Sequence, residues 1–452
     1  MIELINKYMT GVAVPVLLML CGIFYCFRLK FFHFLKLGRV VGVLTKKSEG
    51  RGTSPLKAVS LALAGTLGVG NIVGVSSAIA MGGFGAVFWM WVSAFAAMLL
   101  KYAEIVLAML YRRFDENGAP HGSAMYYIRV CFERLHLRRV GRVAAALFAL
   151  LCILNALTMG SMVQMNAIGK ALEGVFDISP VISCGVLSLL ALGIILRGRN
   201  GILKLTETLV PLMTLGYIAV SVAVFIVRRG ELGEAFSLIF KDAFSVGAAS
   251  SGISGFFMSR AVRFGVMRGV ISNEAGCGTA PAAHAVSDCK IPAEQGIWGI
   301  FEVFADTIVL CTMTALAVVI GYDAASAYTD DFMMMTISAY GSVLGRSASV
   351  FLAVAVLFFG FATVICWAHY GVECVEYFSR KQYVRRVFSF IYCASAFLGA
   401  FVSSDAIWQA TDFAVGAMTL INLTALFLMS GEVKDETELF LNAKDKESQD
   451  KF

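Results

Sequence analysis

Apolar stretches of about 20 residues recur from one end of this chain to the other, and a spanning α-helix needs about that length to cross the hydrocarbon core of a bilayer. Eleven segments qualify, near residues 8–28, 56–82, 85–111, 143–169, 179–197, 205–227, 243–264, 296–320, 347–377, 385–402 and 406–429. Composition agrees: 58% of the 452 residues are apolar and 15% are charged. A soluble chain of this length would carry about 25% charged residues to wet its surface. The expected class is therefore an all-α polytopic membrane protein. The first apolar stretch, Val12 to Phe27, runs into bulky and basic residues instead of a small-residue cleavage site, so it reads as the first span and not as a cleaved signal.

The net charge of +6 does not imply nucleic acid, because the basic residues sit in short clusters between apolar segments. That is the positive-inside pattern. Between Arg28 and Arg51 lie seven Lys/Arg against one acid, Glu49, which places this loop in the cytoplasm and the N-terminus outside. Arg112/Arg113, Arg134 to Arg142, Arg197/Arg199/Lys204, Arg260/Arg263/Arg268 and Arg380 to Arg386 then fall inside, and Asp177, Glu231, Asp323, Asp330 and Asp331 outside, with Arg228 and Arg229 as the exception. The expected location is the cell's inner (plasma) membrane, crossed many times. The layout expected is residues 1–54 as an extra N-terminal span with its basic loop, 55–228 and 229–430 as two five-helix halves, and 431–452 as a disordered cytoplasmic tail. The 11 cysteines are scattered through apolar runs without metal-type pairs and read as small buried hydrophobes.

Two spans are interrupted. One carries Gly65-Thr66-Leu67-Gly68-Val69-Gly70-Asn71-Ile72-Val73-Gly74; five spans later comes Ala248-Ala249-Ser250-Ser251-Gly252-Ile253-Ser254-Gly255. Glycine and serine are poor helix formers. An unwound segment inside a membrane leaves backbone groups unpaired unless it faces protein, water or a ligand. Breaks at matching positions of two halves mark a transporter's midplane site. The N-terminus of a half-helix suits a carboxylate, and the C-terminal carbonyls of the other half suit an ammonium or Na⁺. A zwitterionic amino acid fits both. The competing reading, close packing through small residues, accounts less well for two clusters than for one. The string Gly68-x-Gly70-x-x-x-Gly74 lacks the spacing and the preceding strand of a dinucleotide loop.

The run from Gly65 to Val75, continuing through Gly82-Gly83-Phe84-Gly85-Ala86-Val87-Phe88-Trp89-Met90-Trp91-Val92 to Lys101-Tyr102-Ala103-Glu104, resembles the alanine or glycine:cation symporter family. So does Arg268-Gly269-Val270-Ile271-Ser272-Asn273-Glu274-Ala275-Gly276-Cys277-Gly278-Thr279-Ala280-Pro281, with Asp306-Thr307, Cys311-Thr312 and Trp367-x-x-Tyr370-Gly371. The resemblance covers nearly the whole chain. It implies a LeuT-like fold, a 5+5 inverted repeat with one extra N-terminal helix, importing alanine, glycine or a related small neutral amino acid with Na⁺ or H⁺. By the same resemblance, Asn71 is a substrate or ion ligand, and Gln164 and Asn166 are a polar pair facing substrate. Trp367 closes over a small side chain, and the carbonyls of Ala64 and Leu67 with the hydroxyl of Thr363 hold Na⁺. With the glycines and serine of the two breaks, the expected substrate set is Gly68, Gly70, Asn71, Gln164, Asn166, Ser251, Gly252 and Trp367. The chain departs from the family pattern at Ala362, where a hydroxyl is usual, and at Val69, Ser161 and Val372. Ala362 removes one potential Na⁺ ligand, which keeps a proton-coupled or Na⁺-independent carrier as the alternative.

Charged residues inside spans are costly and usually paired. Lys101 and Glu104 share a helix face and are expected to pair with each other or across the bundle. Glu207 and Glu302 also lie in or near spans, and Asp306, accompanied by Thr307 and Thr312, is the candidate for an ion relay. Asn273 and Glu274 are expected in a structural gate, and His284 and His369 as satisfied polar residues, with His369 the first candidate if protons are carried. Trp89, Trp91 and Trp298 read as packing or interface anchors. An intramembrane enzyme would need His-Glu-x-x-His, Gly-x-Ser-x-Gly or an equivalent; neither occurs. A channel is disfavoured by the paired breaks.

Overall fold

The computed structural model describes residues 2–46, 52–116, 118–244, 260–402 and 404–449. They form helices throughout, apart from one two-residue antiparallel hairpin pairing Arg113–Phe114 with Pro120–His121. Among the described residues, seven helices are long and apolar enough to cross a bilayer: Leu4–Arg28, Gly85–Tyr111, Arg138–Phe176, Arg199–Val227, Pro292–Ile320, Arg346–Phe378 and Ile407–Leu428. The pair Pro55–Thr66 and Val69–Gly82, whose halves meet at 60°, is apolar and long enough to make an eighth when taken as one span. The expected segments near 179–197 and 385–402 are occupied by shorter helices, Pro180–Ile195 and Gln382–Leu398. The expected second break, with Ser251 and Gly252, lies outside the described residues.

The burial pattern is that of a protein dissolved in lipid. Leu189, Leu212, Leu215 and Ile226 are 67–71% exposed, while Lys101, Glu104, Glu302 and Asp306 are fully buried. Aliphatic side chains cover the outside and charges are sequestered within, as hydrocarbon solvent requires. All 11 cysteines are free and buried.

Two elements differ from expectation. Phe332–Leu344 forms an apolar helix of 13 residues, about 20 Å long and too short to cross. Asp331 caps it, accepting from the amides of Met333 and Met334. The tail was expected to be disordered, but Ser430–Gln449 is helical and docked. Val433, Thr437 and Phe440 fall on one face and are buried, and the Thr437 hydroxyl meets Tyr102 Oη at 2.7 Å. Glu432 adds contacts to Tyr111 and Arg134. Three inward positions in a polar tail are enough to seat a helix on an existing bundle.

Candidate substrate and ion site at the first helix break

Ser54 starts the first broken helix: its hydroxyl accepts from the Lys57 amide and Pro55 takes the first helical position, where its missing N–H costs nothing. The helix runs to Thr66 and then unwinds. Leu67 adopts φ −76°, ψ 62°, and the Gly68 amide bonds the Thr66 carbonyl at 2.8 Å, an inverse γ-turn. Gly68 N–H would otherwise pair with the Ala64 carbonyl four residues back, so that carbonyl is released. Thr363, on helix Arg346–Phe378, donates its hydroxyl to it at 2.8 Å. The next amide, on Val69, turns to Gln164 Oε1 at 3.0 Å, which likewise releases the Gly65 carbonyl. Gln164 is held in turn by its own Nε2, which donates to the Met159 carbonyl at 3.1 Å.

At Gly68 side chains of two other helices crowd the break. A Cβ there would sit 2.5 Å from Thr363 Oγ1 and 3.0 Å from Gln164 Oε1, so only glycine fits. The structure thus brings together Ala64, Gly68, Gln164 and Thr363 of the residues expected at the site. Gly70 lies two residues on, facing Ser272.

Asn71 faces the other side. Its Nδ2 donates to Asp306 Oδ1 at 2.6 Å, while its Oδ1 is buried without a partner. Asp306 Oδ2 accepts from Ser272 at 2.9 Å and from Thr307 at 2.8 Å. The carboxylate is therefore fully buried and met by three neutral side-chain donors. Such a group gains from a cation or a proton beside it. Asp306 and Thr307 sit in a π-helical stretch, Phe304–Cys311, and a second such stretch, Thr158–Val163, precedes Gln164. The widened turn of a π-helix re-aims side chains and often marks functional positions. Ser272, whose hydroxyl donates to Asp306, directly precedes the Asn273-Glu274 pair, and no local pattern sets a serine there apart from its neighbours.

Beneath the break lies a polar network. Lys101 pairs across the bundle with Glu302 at 3.2 Å and donates to the Asn273 carbonyl at 2.7 Å. It does not pair with Glu104, which instead accepts from the Gly278 amide and from Asn422. Glu302 also meets His284 Nε2 at 3.0 Å and the Thr66 hydroxyl at 3.3 Å, so the network touches the last turn before the break. Gln295 Nε2 approaches His284 Nδ1 at 2.8 Å, which makes Nδ1 the acceptor and Nε2–H the donor to Glu302. Asn273 donates to Thr307, and Glu274 accepts from Thr279. His369 donates to the Ala282 carbonyl at 3.2 Å. Lys57 rather than a buried group partners Glu207, at 3.1 Å on the surface.

Trp367 is completely buried, its ring packed on Gly160 and its Nε1 donating to Glu274 Oε1 at 3.2 Å. Asn166 donates to the Gly399 carbonyl at 3.0 Å and lines a cavity of about 340 Å³. That cavity runs from Val69, at the break, to Asp330 and Asp331 at the acidic end of the bundle, with Lys170, Phe332 and Trp408 on its walls. Lys170 and Asp331 approach to 4.0 Å across its mouth.

A broken helix met by polar side chains of neighbouring helices is an arrangement that transporters use, and it names no lineage. The model of the sodium:alanine symporter family matches residues 1–452. The chain belongs to that family. It is similar to the sodium/alanine symporter AgcS of Methanococcus maripaludis, 35% identical over 446 residues that cover 97% of this chain and 96% of that protein. GlnT of Bacillus subtilis, named as a probable sodium/glutamine symporter, is 34% identical over 92% of this chain and 85% of its own. Among solved structures, MhsT in complex with L-phenylalanine superposes with a TM-score of 0.56, covering 86% of this chain and 93% of that one at 16% identity. That likeness gives the LeuT-like fold expected from the sequence. The symporter-family chain is therefore a multi-pass membrane transporter for amino acids coupled to a cation, and not an enzyme.

Proposed function

We propose that this protein is a Na⁺-coupled symporter for a small neutral amino acid of the alanine or glycine kind, working by alternating access at the break between Thr66 and Asn71. The observation that carries the reading is the fate of the two amides after Leu67. By turning to Thr66 and Gln164, they free the Ala64 and Gly65 carbonyls inside a span, beside the Thr363 hydroxyl. Ala64 and Leu67 carbonyls with Thr363 supply oxygens of the kind a hard cation takes. Thr363 already touches one of the two. The half-helix beginning at Val69 supplies amide donors for a carboxylate. Asn71, with Gln164 and Asn166, supplies the polar contacts, and Ser251 and Gly252 would complete the site from the second break. In this reading the halves are 55–228 and 229–430, the acidic end with Asp330 and Asp331 is extracellular, and the basic end faces the cytoplasm. The cavity from that acidic end to Val69 supports access from outside, and AgcS and GlnT both carry sodium in their names.

Coupling requires that Na⁺ and substrate together favour a state that neither favours alone. Asn71→Ala is expected to abolish alanine uptake while the protein still elutes as a single species in detergent. Uptake at the wild-type rate would remove Asn71 from the site.

Proton coupling is the second reading, and Asp306 is what favours it. A buried carboxylate with neutral donors only is neutralised equally well by H⁺. With Ala362 offering no hydroxyl, the Na⁺ site has fewer side-chain oxygens than the family pattern. Uptake that persists in choline and follows an imposed pH gradient would select it.

A further inference from the structure

The hairpin that links Gly85–Tyr111 to the helix Ala124–Arg134 carries His121, and its imidazole is pressed against the end of helix Arg346–Phe378. Nδ1 lies 3.2 Å from Glu373 Oε2 and 3.6 Å from Glu376 Oε2. Glu373 and Glu376 are three residues apart and so share a helix face. The potential ligand atoms of the three residues all fall within 4.8 Å of one another. Two protein oxygens and one imidazole nitrogen bound to a tetrahedral zinc at about 2.0–2.2 Å stand about 3.3–3.6 Å apart. The distances from Nδ1, 3.2 and 3.6 Å, come within about 0.1 Å of that spacing.

The surroundings divide the oxygens. Arg199 holds Glu373 by the other oxygen, Oε1, at 2.9 Å, and Arg385 approaches Glu376 Oε1 at 3.8 Å. Each guanidinium therefore orients a carboxylate from behind and leaves Oε2 turned toward His121. On the far side of the ring, Nε2 faces Asp115 Oδ2 at 3.7 Å. That is beyond hydrogen-bond distance, but a carboxylate on this side of the ring favours the Nε2–H tautomer, the one that a metal on Nδ1 needs. Asp115 itself is tied to its turn by the Ala119 amide. A cavity of about 380 Å³ opens onto the cluster with room for water; Arg197, Arg199, Arg380 and Arg385 also line it, so the carboxylates must offset their charge for a cation to enter. None of these residues belongs to the transport site.

We propose that His121, Glu373 and Glu376 form a divalent transition-metal site at the basic end of the bundle, taking Zn²⁺ or a similar borderline cation through Nδ1 and the two Oε2 atoms, with water in the remaining position. Nitrogen with carboxylate oxygen is a donor set that suits zinc and cobalt. Binding leaves one imidazole proton, on Nε2 toward Asp115, and releases the Nδ1 proton to solvent when the ring starts doubly protonated. The bound ion ties the hairpin to the end of helix Arg346–Phe378. If the carrier reading is right, it clamps the cytoplasmic end shut and Zn²⁺ slows uptake.

The test measures binding, so that it stands apart from transport. The full chain is purified in detergent, stripped with a chelator, and titrated with Co²⁺ while its visible spectrum is recorded. One equivalent is expected to bind, with d–d bands of nitrogen and oxygen ligation and without the strong thiolate charge-transfer band that the cysteines would give. His121→Ala and Glu376→Gln are each expected to weaken binding by at least about tenfold, and Zn²⁺ to displace the cobalt. Glu376 is the most exposed of the three ligands, so its variant keeps the test decisive if His121→Ala does not fold. Absence of bound cobalt, a thiolate band, or unchanged affinity in a folded variant would overturn the proposal.

Discussion

Lys101→Met is expected to destabilise the protein by about 3–5 kcal/mol, the loss usual when one partner of a buried ion pair is removed and the other stays behind. Lys101 and Glu302 are fully buried and 3.2 Å apart, and the remaining Glu302 would keep only His284 and Thr66 for company. The cost lies in the orphaned carboxylate, so the double variant Lys101→Met/Glu302→Gln should recover much of it. Thermal unfolding followed by size-exclusion chromatography in detergent reads both. If the double variant is no more stable than Lys101→Met, the pair is not what holds this region together. Uptake by the single variant should also fall, since Glu302 reaches Thr66 at the last turn before the break.

The second large effect is expected at Gly68. In Gly68→Ala the new methyl would lie 2.5 Å from Thr363 Oγ1 and 3.0 Å from Gln164 Oε1. It must push aside the hydroxyl on the Ala64 carbonyl or the amide on Val69 N–H. Overpacking of this kind costs about 1–3 kcal/mol, which a folded bundle survives. The proposed ion and substrate contacts depend on those same two side chains, so uptake is expected to fall to background while the protein remains folded. Gly74→Ala is the control, because a Cβ there meets nothing within 4 Å. Equal loss in both variants would mean that the helix tolerates no added side chain, and the site argument from Gly68 would fail.

The sequence made the spans visible because hydrocarbon demands a continuous apolar run, and the expected segment 85–111 coincides with helix Gly85–Tyr111. Helix Phe332–Leu344 escaped because a run of that length need not cross anything. The tail helix escaped because its inward stripe is only Val433, Thr437 and Phe440, and a docked helix borrows its stability from the surface that receives it. Within the site, the break itself was legible from glycine content, whereas Thr363 was linked to Ala64 only through the family resemblance; its hydroxyl donates to that carbonyl. The pairing of Asn71 with Asp306 was not legible, although both residues stood out separately. Nor was the choice of Glu302 over Glu104 as the partner of Lys101. Glu104 is nearer in sequence and on the same helix face, but which carboxylate an ammonium reaches is decided by how two distant helices pack, and no local pattern encodes that. The second break, with Ser251 and Gly252, stays a proposal resting on sequence alone.

The most direct test of the central claim is uptake of radiolabelled alanine, with glycine in parallel, into proteoliposomes holding the purified chain. An inward Na⁺ gradient is compared with equimolar choline at fixed pH. The account predicts accumulation above equilibrium with Na⁺, little uptake in choline, and none in either condition for Asn71→Ala. Equal flux in Na⁺ and choline would contradict sodium coupling, and no alanine or glycine uptake under any gradient would contradict the proposed cargo.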